Sequence, residues 1–258
     1  LKEVTRTGIE MMLAVDVSNS MLAQDFEPSR LERTKFAIDR LTQQLEQDRI
    51  GLIVFAGDAY MQLPITSDYV AARSFAAQIS PTMVSKQGTA IGAAIDLAAS
   101  SFSSGSEGSR VIVVISDGEN HEDDALAAAK AAAEKGIRIY TIGIGTPEGA
   151  PISIDGEFIK DEQGDMVVSK LDEQMLEQIA LTTGGAYIRA TNRSLGLDEI
   201  VQKINEVEKK ELTSTVFEDF NEQYQYLIGL ALALLLLEFA MLERRSRLLA
   251  RFNIFRKR

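Results

Sequence analysis

The sequence predicts an α/β domain built on a Rossmann-like, mostly parallel sheet with helices on both faces. The 258 residues, 45% of them apolar, are enough for one such domain of about 200 residues with an appendage. Segments with a helical spacing of apolar residues alternate with short apolar runs, as in sheets whose parallel strands are joined by helical crossovers. Four runs are almost continuously apolar, as expected of strands buried on both faces: Ile9–Val15, Arg49–Phe55, Arg110–Ser116 and Arg138–Ile144.

The remaining regular elements follow from helical spacing and from local composition. Ala59–Leu63 is predicted as an edge strand because Pro64 cannot donate a hydrogen bond to a neighbouring strand. Ala186–Arg189 is predicted as a last short strand. Six segments are predicted as helices: Leu31–Leu45, Asp68–Ile79, Ala90–Ser101, Asp123–Lys135, Asp172–Thr182 and Leu197–Glu208.

One stretch interrupts the alternation of strands and helices. Ile152–Ile159 and Met166–Ser169 resemble the two arms of a β-hairpin that turns at Asp161–Gly164. We expect this hairpin to be an insertion at the end of the strand Arg138–Ile144.

An apolar segment near the end of the chain, residues 224–242, predicts a transmembrane helix. As a helix its 19 residues would be about 28 Å long, close to the roughly 30 Å hydrocarbon core of a bilayer. Tyr224 and Tyr226 precede the apolar stretch and arginines follow it, as is typical of interfacial anchors. Glu238 argues against a transmembrane helix, because a carboxylate at the centre of the bilayer costs about 3 kcal/mol of insertion free energy. Each leucine in the segment offsets about 0.5 kcal/mol of that cost. A buried core helix is the alternative.

The charge is distributed asymmetrically along the chain. Residues 243–258 carry a net charge of +6 within a total of −11, which leaves −17 for residues 1–242. Positively charged segments next to a transmembrane helix remain on the cytoplasmic side of the membrane. We therefore expect residues 243–258 to be cytoplasmic and residues 1–223 to be extracytoplasmic. We divide the chain into a globular domain (1–210), a linker (211–223), the transmembrane helix (224–242) and the basic tail (243–258). Since the chain begins at Leu1, we expect any leader or further span to lie upstream.

Composition excludes several classes of function. An acidic body lacks the basic footprint that nucleic-acid binding needs. The chain has no Cys, which rules out disulfides and thiolate metal sites, and its single His, His121, rules out a polyhistidine site.

Three distant segments offer oxygen ligands for a hard divalent cation. Asp16, Ser18 and Ser20 follow the first strand, Asp117 follows the strand Arg110–Ser116, and Thr89 lies in a loop before a helix. Open α/β sheets bind ligands at the carboxyl ends of their strands, so we expect these side chains to meet there. Two carboxylates and three hydroxyls suit Mg²⁺ best, with Mn²⁺ or Ca²⁺ possible, rather than zinc.

This pattern of Asp-x-Ser-x-Ser, a later Thr and Ser-Asp-Gly resembles the von Willebrand factor type A (VWA) domain. The resemblance implies a VWA fold over residues 1–210 and a metal-ion-dependent adhesion site (MIDAS). It implies that Ser18, Ser20 and Thr89 are direct ligands in some states, and that Asp16 and Asp117 often act through water. An open coordination position would then attract a carboxylate from a partner protein.

A second resemblance covers nearly the whole chain. Gln47–Gly57, Leu63–Asp68, Gly145–Gly149, Leu237–Phe239 and Glu243–Arg245 are similar to the bacterial aerotolerance (Bat) family of membrane-anchored VWA proteins. The resemblance implies a bacterial inner-membrane protein with a periplasmic domain, a role in stress or oxygen tolerance, and partners from the same operon. A MoxR-type AAA+ ATPase is a further implied partner.

The function expected from these patterns is metal-dependent protein–protein interaction without catalysis, and no residue is assigned a catalytic role. One alternative is a metal-dependent phosphohydrolase with Asp16 as nucleophile, although such enzymes normally carry a second Asp where Ser18 stands. Another alternative is the VWA partner subunit of a chelatase-like motor.

Several further polar residues have ordinary structural interpretations. Glu119, Asp123 and Asp124 are expected in a solvated loop and a helix N-terminus, the alternative being that they add negative charge around the ion. His121 is expected in an exposed loop rather than as a metal ligand, and Asp68 at a helix N-terminus rather than as an acid behind the metal ligands.

Overall fold

The computed structural model describes residues 8–45, 47–103, 109–120, 123–154, 156–206 and 224–243. The chain forms two compact units, Leu1–Glu208 and Lys209–Arg258. His121, the whole of the predicted linker and all of the predicted tail except residue 243 lie outside the described residues.

Ten strands, seven α-helices and two short 3-10 helices, Asn19–Leu22 and Pro81–Met83, form the described elements. The strands are β1 Glu10–Asp16, β2 Arg49–Phe55, β3 Ala59–Thr66, β4 Arg110–Ser116, β5 Arg138–Gly143, β6 Ala150–Pro151, β7 Ser153–Ile154, β8 Glu157–Phe158, β9 Val168–Ser169 and β10 Tyr187–Arg189. The helices are α1 Arg30–Thr42, α2 Tyr69–Ala77, α3 Ile91–Ser100, α4 Ala125–Glu134, α5 Glu173–Thr182, α6 over 197–206 and α7 Tyr224–Glu243.

The first unit contains a six-stranded sheet in the order β10-β5-β4-β1-β2-β3. Every neighbouring pair is parallel except β2 and β3. All seven residues of β1 are buried because helices cover both faces. Helices α1, α2 and α6 pack on one face through Leu31, Ala72 and Ile200, and helices α3, α4 and α5 pack on the other. The predicted fold class of this unit is confirmed.

The edge strand β3 is longer than the sequence predicts. It continues through Pro64 to Thr66 and pairs with β2 antiparallel, with shifts in register beside Leu52. Proline is tolerated here because the outer side of an edge strand needs no donor.

The insertion after β5 differs from the single hairpin predicted. The first predicted arm folds on itself, so that β7 pairs with β8, while β6 pairs with β9. Gly156 adopts a positive φ of 85° at the tight turn between β7 and β8. The Asp-Gly pair in the sequence is a turn signal, and it divides the predicted arm.

Helix α7 spans the segment predicted to cross a membrane. Its described leucines, Leu230 and Leu232 among them, are about three-fifths exposed. Among the residues described, none of the helices is long and apolar enough to span a bilayer. The membrane-spanning role of 224–242 therefore stays a prediction.

Candidate metal centre

The carboxyl edge of the sheet brings the predicted ligands to one place. Strands β1 and β4 are parallel neighbours with Val15 opposite Ile115, so Asp16 and Asp117 emerge side by side. Both aspartates are completely buried. Their carboxylates lie close enough to repel each other, since Asp117 contributes to the raised pKa of Asp16.

The loop after β1 folds back on Asp16. The Ser18 N–H donates to Asp16 Oδ1 at 2.9 Å, and the Ser116 hydroxyl donates to Asp16 Oδ2 at 2.6 Å. The hydroxyls of Ser18 and Ser20 are 2.9 Å apart, and both side chains are buried. Two carboxylate oxygens and two hydroxyls are thus preorganised within one short loop.

Thr89 reaches the same edge through its loop. The Ala90 N–H donates to the Ala56 carbonyl just after β2, at 2.7 Å, and the Gln87 side chain accepts from the Asn19 N–H at 3.2 Å. Thr89 itself is 4% exposed. These bonds fix the loop between the end of β2 and the turn that carries Ser18 and Ser20.

Helix α3, which follows Thr89, is capped from another part of the chain. Asp123 accepts hydrogen bonds from the N–H groups of Gly92 (3.0 Å) and Ala93 (2.7 Å), and Asn120 accepts from Ile91 N–H. Asp123 therefore joins the loop after Asp117 to the helix after Thr89, a role that the sequence did not reveal. Asp124 and Asp68 cap α4 and α2, so the N-terminal interpretation of both is confirmed.

Asp117 is held by donors from outside the predicted ligand set. Its Oδ2 accepts from Arg30 Nη1 at 3.1 Å and from the Ser169 hydroxyl at 3.0 Å. Its Oδ1 accepts from Glu119 N–H at a longer 3.3 Å. The carboxylate is therefore anchored through one oxygen, while the other has the weaker bond.

Arg30 is the principal residue that sequence reasoning missed. Its guanidinium is fully buried and forms two hydrogen bonds to Asp25, at 2.8 and 2.7 Å, besides the bond to Asp117. In the sequence Arg30 is only a charged residue at a helix start, and no pattern marks it as buried. These hydrogen bonds and carboxylate partners offset the cost of removing the guanidinium from water.

The buried charges around the site do not balance. Asp16, Asp25 and Asp117 supply three carboxylates and Arg30 supplies one cation, so the cluster carries −2 if all are ionised. Burial, and then the neighbouring charge of Asp117, raise the pKa of Asp16 to about 7. For Asp25, burial opposes ionisation, but the hydrogen bonds and charge of Arg30 outweigh it and lower the pKa.

These residues fit a hard divalent cation. An ion of charge +2 would neutralise the excess charge of the cluster, and every candidate donor is oxygen. Among the residues described, no group of three or more His, Cys, Asp or Glu side chains could hold a metal ion. A metal here would therefore depend on the hydroxyls of Ser18, Ser20 and Thr89 as well as on the two aspartates.

The fold and the strand-end arrangement agree with the family comparison. The model of the von Willebrand factor type A domain matches residues 10–204. The chain belongs to this family. The match covers the whole sheet and every predicted ligand.

Two solved structures show which members of this family the chain resembles. An aerotolerance-related membrane protein from Bacteroides fragilis, solved with multiple mutations to serine, is 52% identical with a TM-score of 0.74; the alignment covers 77% of this chain and all of that one. BatB from Bacteroides thetaiotaomicron, a conserved hypothetical protein, is 51% identical with a TM-score of 0.75, over 78% of this chain and all of that one. The Bat-family resemblance is confirmed.

An uncharacterized protein of Borreliella burgdorferi is 30% identical over 237 residues. The alignment covers 90% of this chain and 68% of that protein, so this chain corresponds to about two thirds of the relative's length.

Proposed function

We propose that this chain is a membrane-anchored module that binds a partner protein through a divalent metal, with Mg²⁺ as the physiological ion. Domains of this family commonly bind a divalent metal and mediate protein–protein interaction. The observation that carries the proposal is the excess negative charge at the strand ends, where Asp16, Asp25 and Asp117 face the single cation Arg30. Two of those carboxylates sit beside three buried hydroxyls.

The chemistry of recognition follows from the donor set. Ser18, Ser20 and Thr89 are neutral, so as direct ligands they would transfer no negative charge to the ion, and the neutralising carboxylates would lie further from it. A bound Mg²⁺ would supply an open coordination position for a carboxylate from the partner. The bonds from Ser116 to Asp16, and from Arg30 and Ser169 to Asp117, orient the two carboxylates before the ion arrives.

Binding is favoured over the two alternatives. Both oxygens of Asp16 accept hydrogen bonds and the side chain is fully buried, an arrangement poorly suited to a nucleophile. Ser18 occupies the position where a phosphohydrolase would have its second aspartate. A chelatase-like subunit serves a soluble motor, whereas the Bacteroides fragilis relative is a membrane protein.

Anchoring is proposed for residues 224–242, with the domain in the periplasm and the tail in the cytoplasm. The exposed leucines of α7 and the arginines that follow it support this arrangement. The partners would include products of the same operon. The basic tail would be the part that meets a MoxR-type ATPase, and the role would be stress or oxygen tolerance.

Calorimetric titration of Mg²⁺, and then of Ca²⁺ and Mn²⁺, into the full chain tests the metal site. We expect saturable binding that Asp16→Ala abolishes while the circular dichroism spectrum is retained. Asp39→Ala is the matched control, because Asp39 is exposed on α1 and lies outside the predicted ligand set. Equal binding by Asp16→Ala and the unaltered chain would contradict the assignment.

A further inference from the structure

The two ends of the insertion after β5 meet at the same buried ion pair. At its start, the Thr146 N–H donates to Asp25 Oδ2 at 3.0 Å. At its end, the Ser169 hydroxyl accepts from Arg30 Nη1 at 2.8 Å, and the Ser169 carbonyl accepts from Arg30 Nη2 at 3.2 Å. Since Asp25 and Arg30 pair at 2.7 Å, they hold both ends of the insertion together.

The backbone is adapted to this guanidinium. Gly145, at the point where β5 leads into the insertion, has a φ of 143°, and a Cβ there would lie 3.0 Å from Arg30 Cζ. The chain therefore passes directly against the planar face of Arg30. A lysine could not make these contacts, because only the guanidinium fork reaches Asp25, Asp117 and Ser169 at once.

The hydrogen bonds of Arg30 and Ser169 also include Asp117, a candidate metal ligand. Ser169 donates to Asp117 Oδ2 and accepts from Arg30, so the strand β9 and Asp117 share one hydrogen-bonded unit. The adjacent backbone adds a second link, since Lys170 N–H donates to Glu119 Oε1 at 3.0 Å. The insertion cannot move at Ser169 without disturbing the carboxylate of Asp117.

We propose that Arg30 is a positioning residue that couples occupancy of the metal site to the conformational stability of the insertion, residues 146–169. The proposal rests on the proposed metal-binding function. A bound cation would fix the position of the Asp117 carboxylate, whose Oδ2 accepts from both Arg30 and Ser169, so the end of the insertion loses freedom when the ion is present. Because such coupling is reciprocal, a partner that orders the insertion also strengthens metal binding.

Hydrogen exchange of the full chain, with Mg²⁺ alone as the ligand, tests the coupling. We expect saturating Mg²⁺ to slow amide exchange in residues 150–154 and 166–169 by at least about fivefold, the lower end of typical coupling strengths. Ser169→Ala removes the hydroxyl between Arg30 and Asp117. Mg²⁺ affinity should fall because the coupling is reciprocal, and at a Mg²⁺ concentration that saturates the variant the slowing should largely disappear. Glu157→Ala is the control, because Glu157 lies in the same insertion, is exposed and pairs with Ile154.

Arg30→Lys is a second variant, which keeps the positive charge but loses the guanidinium N–H groups that donate to Asp25, Asp117 and Ser169. It should bind Mg²⁺ more weakly than the unaltered chain and, at a Mg²⁺ concentration that saturates it, show little metal-dependent slowing at either end of the insertion. Mg²⁺ binding with unchanged exchange in the unaltered chain, or full slowing in Ser169→Ala, would overturn the coupling and leave the metal site intact. Failure of the unaltered chain to bind Mg²⁺ would overturn the metal site and the coupling together.

Discussion

Metal binding at Asp16 should be coupled to loss of a proton from its carboxyl group. Its pKa is raised to about 7 by burial and by the charge of Asp117, so in the ion-free protein the group is protonated below that pH. A metal needs the carboxylate, and binding should therefore release a proton near neutral pH. We expect Mg²⁺ affinity about tenfold lower at pH 6 than at pH 8, as one competing proton with this pKa requires.

Titrations in two buffers of different ionisation enthalpy measure this proton directly. The number released should fall from near one at pH 6 towards zero at pH 8. Affinity that does not vary over this range would mean that Asp16 is already ionised, or that it does not ligate the ion.

The residues found from sequence and those missed differ in a physical way. Asp16 and Asp117 stand directly after apolar strands, and strand ends in a parallel sheet meet at one edge, so local pattern was enough to bring them together. Arg30 is buried by contacts with Asp25, Asp117 and Ser169, the last 139 positions away. No local pattern predicts a contact at that separation.

At the scale of elements, one capping contact fixes the approach of Thr89. Asp123 caps α3 from a distant loop, whereas Asp68 caps α2 locally by accepting from Ala71 N–H at 2.9 Å. Replacing either by Ala should cost about 0.5–2 kcal/mol of unfolding free energy, as loss of a helix cap does. Of the two variants, only Asp123→Ala should also weaken Mg²⁺ binding, because Asp123 helps Asn120 to join the Thr89 segment to the loop after Asp117, whereas Asp68 does not contact either segment.

Urea denaturation and calorimetry on the two variants separate these effects. Asp68→Ala serves as the matched control, since its cap lies on a helix that carries no predicted ligand. Equal Mg²⁺ affinity in both variants would show that the cap does not position Thr89.

The insertion shows where element prediction failed. The sequence predicts Ile152–Ile159 as one arm of a hairpin, but the Asp-Gly turn within it divides it into β7 and β8. Central strands were easier to predict because burial on both faces leaves a nearly continuous apolar run, as in β2 and β4, whose bounds match the prediction.

At the scale of the whole molecule, the acidic body and basic tail argue for membrane anchoring. We expect the full chain to sediment with membranes after a carbonate wash, and a chain lacking residues 224–258 to remain in the supernatant. A chain lacking only 244–258 is the matched control, because it keeps the apolar helix and should still sediment. Membrane association of the shorter chain, or a soluble full chain, would contradict the anchor.

The proposed function depends on a metal ion at the strand ends. The most direct test is a crystal structure grown with Mn²⁺, using the anomalous scattering of manganese to locate the ion. We expect an anomalous peak among Asp16, Ser18, Ser20, Thr89 and Asp117. A map with no peak among these residues, at a Mn²⁺ concentration that saturates the protein in solution, would contradict it.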